Sequence, residues 1–207
     1  MNFVLRFLSS VLLAPLFIFF LYNKDILIYI LVISIISIGS YELFHNVKQK
    51  ILCLFLIFFL FLFGYLLIKL RGSNLESFIE TCWLLSIVWL SDIGGYIFGK
   101  LIGGKKLSKF SPNKTFSGFF GSIFLSQFAF LFPYILIEDL TLNVLIFFVQ
   151  FLICITAVVG DIFFSYVKRI NYIKDYSNII PGHGGVLDRI DGMIFAVIFY
   201  FFIKIII

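Results

Sequence analysis

Charge is what this chain has least of. Only 13% of its 207 residues are Asp, Glu, Lys or Arg, while 62% are hydrophobic. Soluble domains carry about 25% charged residues, so a soluble globular core is excluded. Proline is also scarce, with 4 residues, and no low-complexity linker, internal repeat or second domain is visible. The three cysteines, Cys53, Cys82 and Cys154, each lie inside an apolar run without metal-ligand spacing. They read as small buried residues, and no disulfides are expected.

What fills the chain is Phe, Ile and Leu in long runs. A helix crosses the hydrocarbon layer in roughly 20 residues, and lipid offers backbone groups no water. Spanning segments are therefore helices or closed barrels. The runs do not alternate with period two, so the expected fold is an all-α integral membrane protein, a single polytopic domain over residues 1–207. Seven spans are predicted, at Phe3–Tyr22, Ile26–Phe44, Ile51–Leu70, Phe78–Leu101, Phe116–Ile137, Leu142–Tyr166 and Leu187–Ile207. The first resembles a signal sequence, but no small-x-small cleavage site follows it, and a retained span is expected.

With the N-terminus inside, twelve of the sixteen basic residues fall on the cytoplasmic side, as the enrichment of Lys and Arg in cytoplasmic loops requires. The C-terminus is then outside. The two long polar connections, Ile102–Thr115 and Val167–Val186, both face the cytoplasm, where a nucleotide or a phosphorylated headgroup is met.

The scarce charges are concentrated. Between Gly160 and Asp191 stand Asp161, Ser165, Lys168, Arg169, Lys174, Asp175, His183, Asp188, Arg189 and Asp191, with Gly182, Gly184 and Gly185 among them. Counting about 1.5 Å per residue from Leu142, Asp161 lies about 30 Å along its helix, at the cytoplasmic boundary. Ser165 and Lys168 follow at i+4 and i+7 on the same face. Carboxylate, hydroxyl and ammonium together suit a metal-bound phosphate better than lipid tails. Pro181 and the glycines of PGHGGVLDRID enforce a loop whose N–H groups suit an anion. Asp188 and Asp191 follow at i and i+3, on one face of the last helix near its start. The plainer reading is that they are helix-start residues favoured by the dipole. Hard oxygen donors of this kind favour Mg²⁺. His183, between glycines and beside acids, suits phosphate contact or loop closure; His45 reads as an interfacial histidine.

Asp92, in SDIGGYIFGK, is an ionisable residue inside a span and so a candidate site residue. Capping by Ser91 or pairing with Lys100 is the alternative. The following loop carries Lys105, Lys106, Lys109 and Lys114 beside Ser111 and Asn113. Positive-inside topology or attraction to anionic lipid would account for such a loop on its own. Two motif matches fail. Gly94–Lys100 fits G-x-x-x-x-G-K, but Leu follows the Lys and no strand precedes it. Asn113-Lys114-Thr115 fits a glycosylation acceptor but lies in a cytoplasmic loop.

The run from Ser165 through Lys168-Arg169, Lys174-Asp175, Ser177, Ile180-Pro181 and His183-Gly184-Gly185 to Asp188-Arg189-Ile190-Asp191 resembles the signature of the phosphatidate cytidylyltransferase family. Ser91–Gly121 resembles a second block of that family, so the motifs occupy residues 91–192. The resemblance implies a membrane enzyme that joins CTP to phosphatidic acid, giving CDP-diacylglycerol and pyrophosphate, with no nucleic acid as partner. It implies Mg²⁺ held by Asp161 and Asp188, and allows a monovalent cation such as K⁺ beside it. It also implies a homodimer with a cytoplasm-facing cavity. Together with Ile, Phe and Lys usage that hints at an AT-rich bacterial genome, it places the chain in a bacterial cytoplasmic (inner) membrane. On this reading Asp191 and Asp92 support the metal, and Lys168, Arg169, Lys174 and Arg189 neutralise the triphosphate. Lys106, Ser111, Asn113 and Lys114 are candidates for the lipid phosphate or an edge of CTP. The chain departs from the family at Phe116-Ser117-Gly118, where Trp-Glu-Gly is frequent, and is short at its N-terminal end. The rivals are a CTP-dependent polyprenol or phytol kinase, which the complete His-Gly-Gly…Asp-Arg-x-Asp block argues against, and an ion-coupled transporter using Asp92 and Asp161. The D-G-x-x-A-R pattern of CDP-alcohol phosphotransferases is missing.

Overall fold

The computed structural model of the chain describes residues 15–23, 26–111, 114–136, 143–180 and 184–206. The described residues are helical throughout apart from turns and two isolated backbone bridges. Residues 15–22 are helical (α1) and are followed by α2 (Ile26–Asn46), α3 (Lys50–Arg71) and α4 (Leu75–Leu101). Then come α5 (Phe116–Ser126), a 3₁₀ turn (Gln127–Phe130), α6 (Leu131–Leu136), α7 (Val144–Ile170) and α8 (Leu187–Ile206). Among the described residues five stretches are long and apolar enough to cross a membrane: Ile26–Asn46, Lys50–Arg71, Leu75–Leu101, Phe116–Leu136 and Val144–Ile170. α8 has the length, at 20 residues, but carries Asp188, Arg189, Asp191 and Lys204. Most of the first expected span lies outside the described residues.

Two of the differences from the sequence expectation have a clear physical reason. The fifth run is interrupted by the 3₁₀ turn at Gln127–Phe130. Pro133 has no N–H for the Ala129 carbonyl and its ring crowds that oxygen, so the ladder tightens just before it. α7 continues past Tyr166 to Ile170, carrying Lys168 and Arg169 in its last turn. Cations there face the negative end of the helix dipole, so these charges prolong the helix instead of marking its end.

The chain divides into two compact units. The first holds the described residues up to Phe78 together with Val167–Asp191. Its core is built on Leu43, Leu56, Leu60, Phe63 and Leu67, all at most 1% exposed. α2 and α3 approach closely at Gly64, where a Cβ would stand 2.7 Å from Val32 Cγ1 and 2.8 Å from Ile36 Cδ1. Arg71, buried in the last turn of α3, donates to the carbonyls of Leu21 and Tyr22 and stacks on Phe78. It thereby satisfies the otherwise orphaned end of α1.

The second unit comprises Ile79–Tyr166 and the described residues from Gly192 on. Here α4 and α5 cross backbone to backbone. A Cβ on Gly94 would collide with the Gly121 carbonyl, and one on Gly121 would stand 2.7 Å from the Gly94 oxygen. Close contact of this kind replaces the hydrophobic effect, which lipid does not supply between helices. Ser122 donates to the Ser91 carbonyl at 2.7 Å across the same crossing. Elsewhere in the unit Glu80 accepts from Tyr200 and Lys204.

Gly121→Val should therefore overpack this crossing and cost about 1–3 kcal/mol. Thermal unfolding in detergent, followed by tryptophan fluorescence, should show a lowered midpoint. A wild-type midpoint would contradict so close a crossing.

Candidate active site

In the first unit the loop after α7 folds back around the start of α8, and Asp188 is its centre. The Asp188 side chain is 3% exposed. Its Oδ1 accepts from Lys168 Nζ at 2.7 Å. Its Oδ2 accepts the backbone N–H groups of Tyr176 and Gly185, each at 2.9 Å. Lys168 also lies 3.9 Å from Asp191 and sits 5.6 Å above the Tyr176 ring. Two carboxylates thus share one ammonium in a poorly hydrated place. Burial first, then Asp188, Asp191 and Glu42, raise the Tyr176 phenol well above its usual pKa, so it stays neutral at physiological pH.

The glycines serve this arrangement. Gly184, at φ 88°, takes a conformation that L side chains rarely adopt, and a Cβ there would stand 3.0 Å from Asp188 Oδ2. Its N–H and C=O pair with Ile180, closing the loop. The N–H groups expected to cradle an anion do meet one, but it belongs to the protein. Gly185 donates to Asp188, while Val186 and Leu187 donate to Glu42.

Around this centre Arg169, Lys174, Asp175 and Arg189 are exposed. Arg169 donates to the Ile173 carbonyl at 3.2 Å. His183 lies outside the described residues.

The second unit carries the other group of expected residues. Asp161 forms an ion pair with Lys114 and accepts from Ser165 Oγ at 3.4 Å. The basic loop is tied down by a bridge between Lys106 and Thr115, by Lys114 N–H to the Ser111 carbonyl, and by Thr115, which caps α5 through Gly118 N–H. Ser117 donates to the Gly103 carbonyl and closes the loop on itself. The Lys106 side chain is exposed, and Asn113 lies outside the described residues. Asp92 is exposed in α4, and Lys100 turns to Tyr96.

Among the described residues no three metal-binding side chains converge. The donor set nevertheless fits Mg²⁺, which usually takes one or two carboxylates and completes its shell with substrate phosphates and water. Within the first unit Asp188 and Asp191 offer hard anionic oxygens in excess over Lys168.

Residues 44–206 match the model of the Cytidylyltransferase family. The chain is 35% identical over 217 residues to a protein of Rickettsia bellii named phosphatidate cytidylyltransferase, covering 98% of this chain and 91% of that one. The chain belongs to the cytidylyltransferase family. Relatives of the same name from Staphylococcus epidermidis and Helicobacter pylori are 44% and 42% identical over 114 and 115 residues. Those alignments cover 53% and 55% of this chain but only 43% and 42% of the relatives.

The cytidylyltransferase match begins just after the one site residue that sequence reasoning missed. Glu42, in α2, is 1% exposed and accepts three hydrogen bonds from the Asp188 loop. A signal was present: a carboxylate at the end of an apolar run is as costly in a span as Asp92.

Removing one partner of a buried ion pair strands the other charge, at about 3–5 kcal/mol. Lys168→Met should accordingly lower the unfolding midpoint in EDTA, measured by tryptophan fluorescence. Lys174→Met, at an exposed position, should leave it unchanged.

Proposed function

We propose that the chain transfers the cytidylyl group of CTP to phosphatidic acid, releasing pyrophosphate and forming CDP-diacylglycerol. The observation that carries this reading is the buried Lys168–Asp188–Asp191 cluster in a chain whose relatives bear the name phosphatidate cytidylyltransferase. Nucleotidyl transfer demands positioning and charge neutralisation more than covalent chemistry from the protein. Asp188 and Asp161 would hold Mg²⁺, with Asp191 and Asp92 in support. The ion, when bound, supplies neutralisation of phosphate charge, and a monovalent cation such as K⁺ is compatible with the same acidic surroundings.

Lys168, Arg169, Lys174 and Arg189 bind the triphosphate and stabilise the departing pyrophosphate. Lys106, Ser111, Asn113 and Lys114 orient the lipid phosphate or an edge of CTP. A phosphate oxygen of phosphatidic acid attacks the α-phosphorus of CTP, and the bond from that phosphorus to the bridging oxygen breaks. The attacking phosphate is already anionic at pH 7, so no strong general base is needed. His183 would serve phosphate contact or loop closure, and Asp175 stands as a further catalytic candidate. The topology that fits is seven spans in a bacterial inner membrane with the N-terminus and the site cytoplasmic, in a homodimer.

Membranes containing the protein, given labelled CTP, phosphatidic acid and Mg²⁺, should form CDP-diacylglycerol and pyrophosphate, and none of the phosphorylated product when a polyprenol replaces the lipid. Asp188→Ala and Asp161→Ala should each reduce turnover at least about a hundredfold while inserting normally. Undiminished turnover in Asp188→Ala would refute the metal assignment. An alkaline phosphatase fused after Ile207 should be active, as an exterior C-terminus requires; a silent fusion beside an active cytoplasmic reporter would reverse the topology.

A further inference from the structure

The reaction proposed above needs Asp188 held in one place, and α2 does the holding. Asp188 Oδ2 depends on two backbone donors, Tyr176 N–H and Gly185 N–H. Both donors belong to segments fastened to α2. On one side Asn46 Nδ2 donates to the Tyr176 carbonyl at 2.7 Å, and Lys48 N–H donates to Asn171 Oδ1 at 2.9 Å. On the other side stands Glu42. Its Oε1 accepts from Ser177 Oγ at 2.5 Å and from Val186 N–H at 2.9 Å, and its Oε2 accepts from Leu187 N–H at 2.9 Å.

The first N–H groups of a helix have no partner within it and favour an anion. At α8 that anion comes from a helix distant in sequence. It fits because residue 185 is glycine: a Cβ there would stand 2.5 Å from Glu42 Oε1 and 2.8 Å from its Cδ. At 1% exposure Glu42 has no surface left for a substrate, and the hydrogen bonds described for its carboxylate come from the loop and the start of α8.

We propose that Glu42 is a positioning residue, a carboxylate clamp that fixes the loop from Tyr176 to Leu187 and thereby sets the orientation in which Asp188 meets its cation. The proposal rests on the cytidylyltransferase reading only for what Asp188 does; the clamp itself stands on the contacts of Glu42. Glu42→Gln keeps the size of the side chain but replaces one acceptor by an NH₂ group that must face a donor. The clamp opens on one side while the volume is unchanged.

The test uses the full chain purified in detergent. Trypsin reads the loop at Lys174, which is exposed. Glu42→Gln should be cut there about tenfold faster than wild type, and the Mg²⁺ concentration giving half-maximal CDP-diacylglycerol formation should rise by about the same factor. Its tryptophan unfolding midpoint should move little. A residue that merely stabilises the fold would lower the folded fraction and leave both the cutting rate and the Mg²⁺ midpoint of the folded protein untouched. That outcome overturns the proposal. Should Glu42→Gln fail to fold, Ser177→Ala decides, since it removes one of the three contacts: faster cutting supports the clamp and wild-type cutting overturns it. Should wild type make no CDP-diacylglycerol, the proposed function falls, and the trypsin rates alone then support or overturn the clamp.

Discussion

A carboxylate buried at the edge of an apolar bundle is the constraint on which the rest of the site depends. Asp188 is almost shut off from water, and in such a place an unpaired charge is too costly to keep. It is retained because Lys168 offers an ammonium and the backbone offers two N–H groups. Each of those donors imposes a condition on the chain. Lys168 reaches Asp188 only because α7 runs to Ile170. The Gly185 N–H is available only because Gly184 turns through a positive φ. The Tyr176 N–H is available only because Asn46 anchors that residue's carbonyl. The loop is thus an enclosure for one negative charge.

The same logic explains the composition. A chain with so few charges cannot leave them without partners in or near lipid, and the structure gives most of them specific tasks. Lys114 neutralises Asp161, Lys204 neutralises Glu80, and Arg71 closes the end of α1. Of the four charged side chains exposed beside the Asp188 loop, Arg169, Lys174 and Arg189 are cationic and Asp175 alone is anionic. The three cations suit an anionic substrate, as the proposed reaction requires.

Most of the fold was legible because lipid leaves the backbone no alternative to helix, so long apolar runs announce themselves. Ends were less legible. The span expected to end at Tyr166 runs on to Ile170, because the dipole of α7 accommodates Lys168 and Arg169, and the fifth run tightens before Pro133. Asp161, Ser165, Lys168, Asp188 and Asp191 stood out as candidates because charged residues clustered among glycines are out of place in this composition; the structure pairs Lys168 with Asp188 and Asp191, and Ser165 with Asp161. What the pattern could not show was pairing. The glycine loop signalled an anion, but nothing in the local sequence told that Glu42 supplies it, more than a hundred residues away. Long-range partners of this kind depend on tertiary packing, which spacing does not encode.

Lys168 is the resident cation of Asp188 and Asp191, and on the proposed function a divalent ion would compete for the same oxygens. The most direct test is Mg²⁺ binding by calorimetry to the full protein in detergent without nucleotide, comparing wild type with Lys168→Met. Losing the ammonium should tighten Mg²⁺ binding by about tenfold or more, and Asp188→Asn should abolish the gain. Equal or weaker binding in folded Lys168→Met would contradict the account.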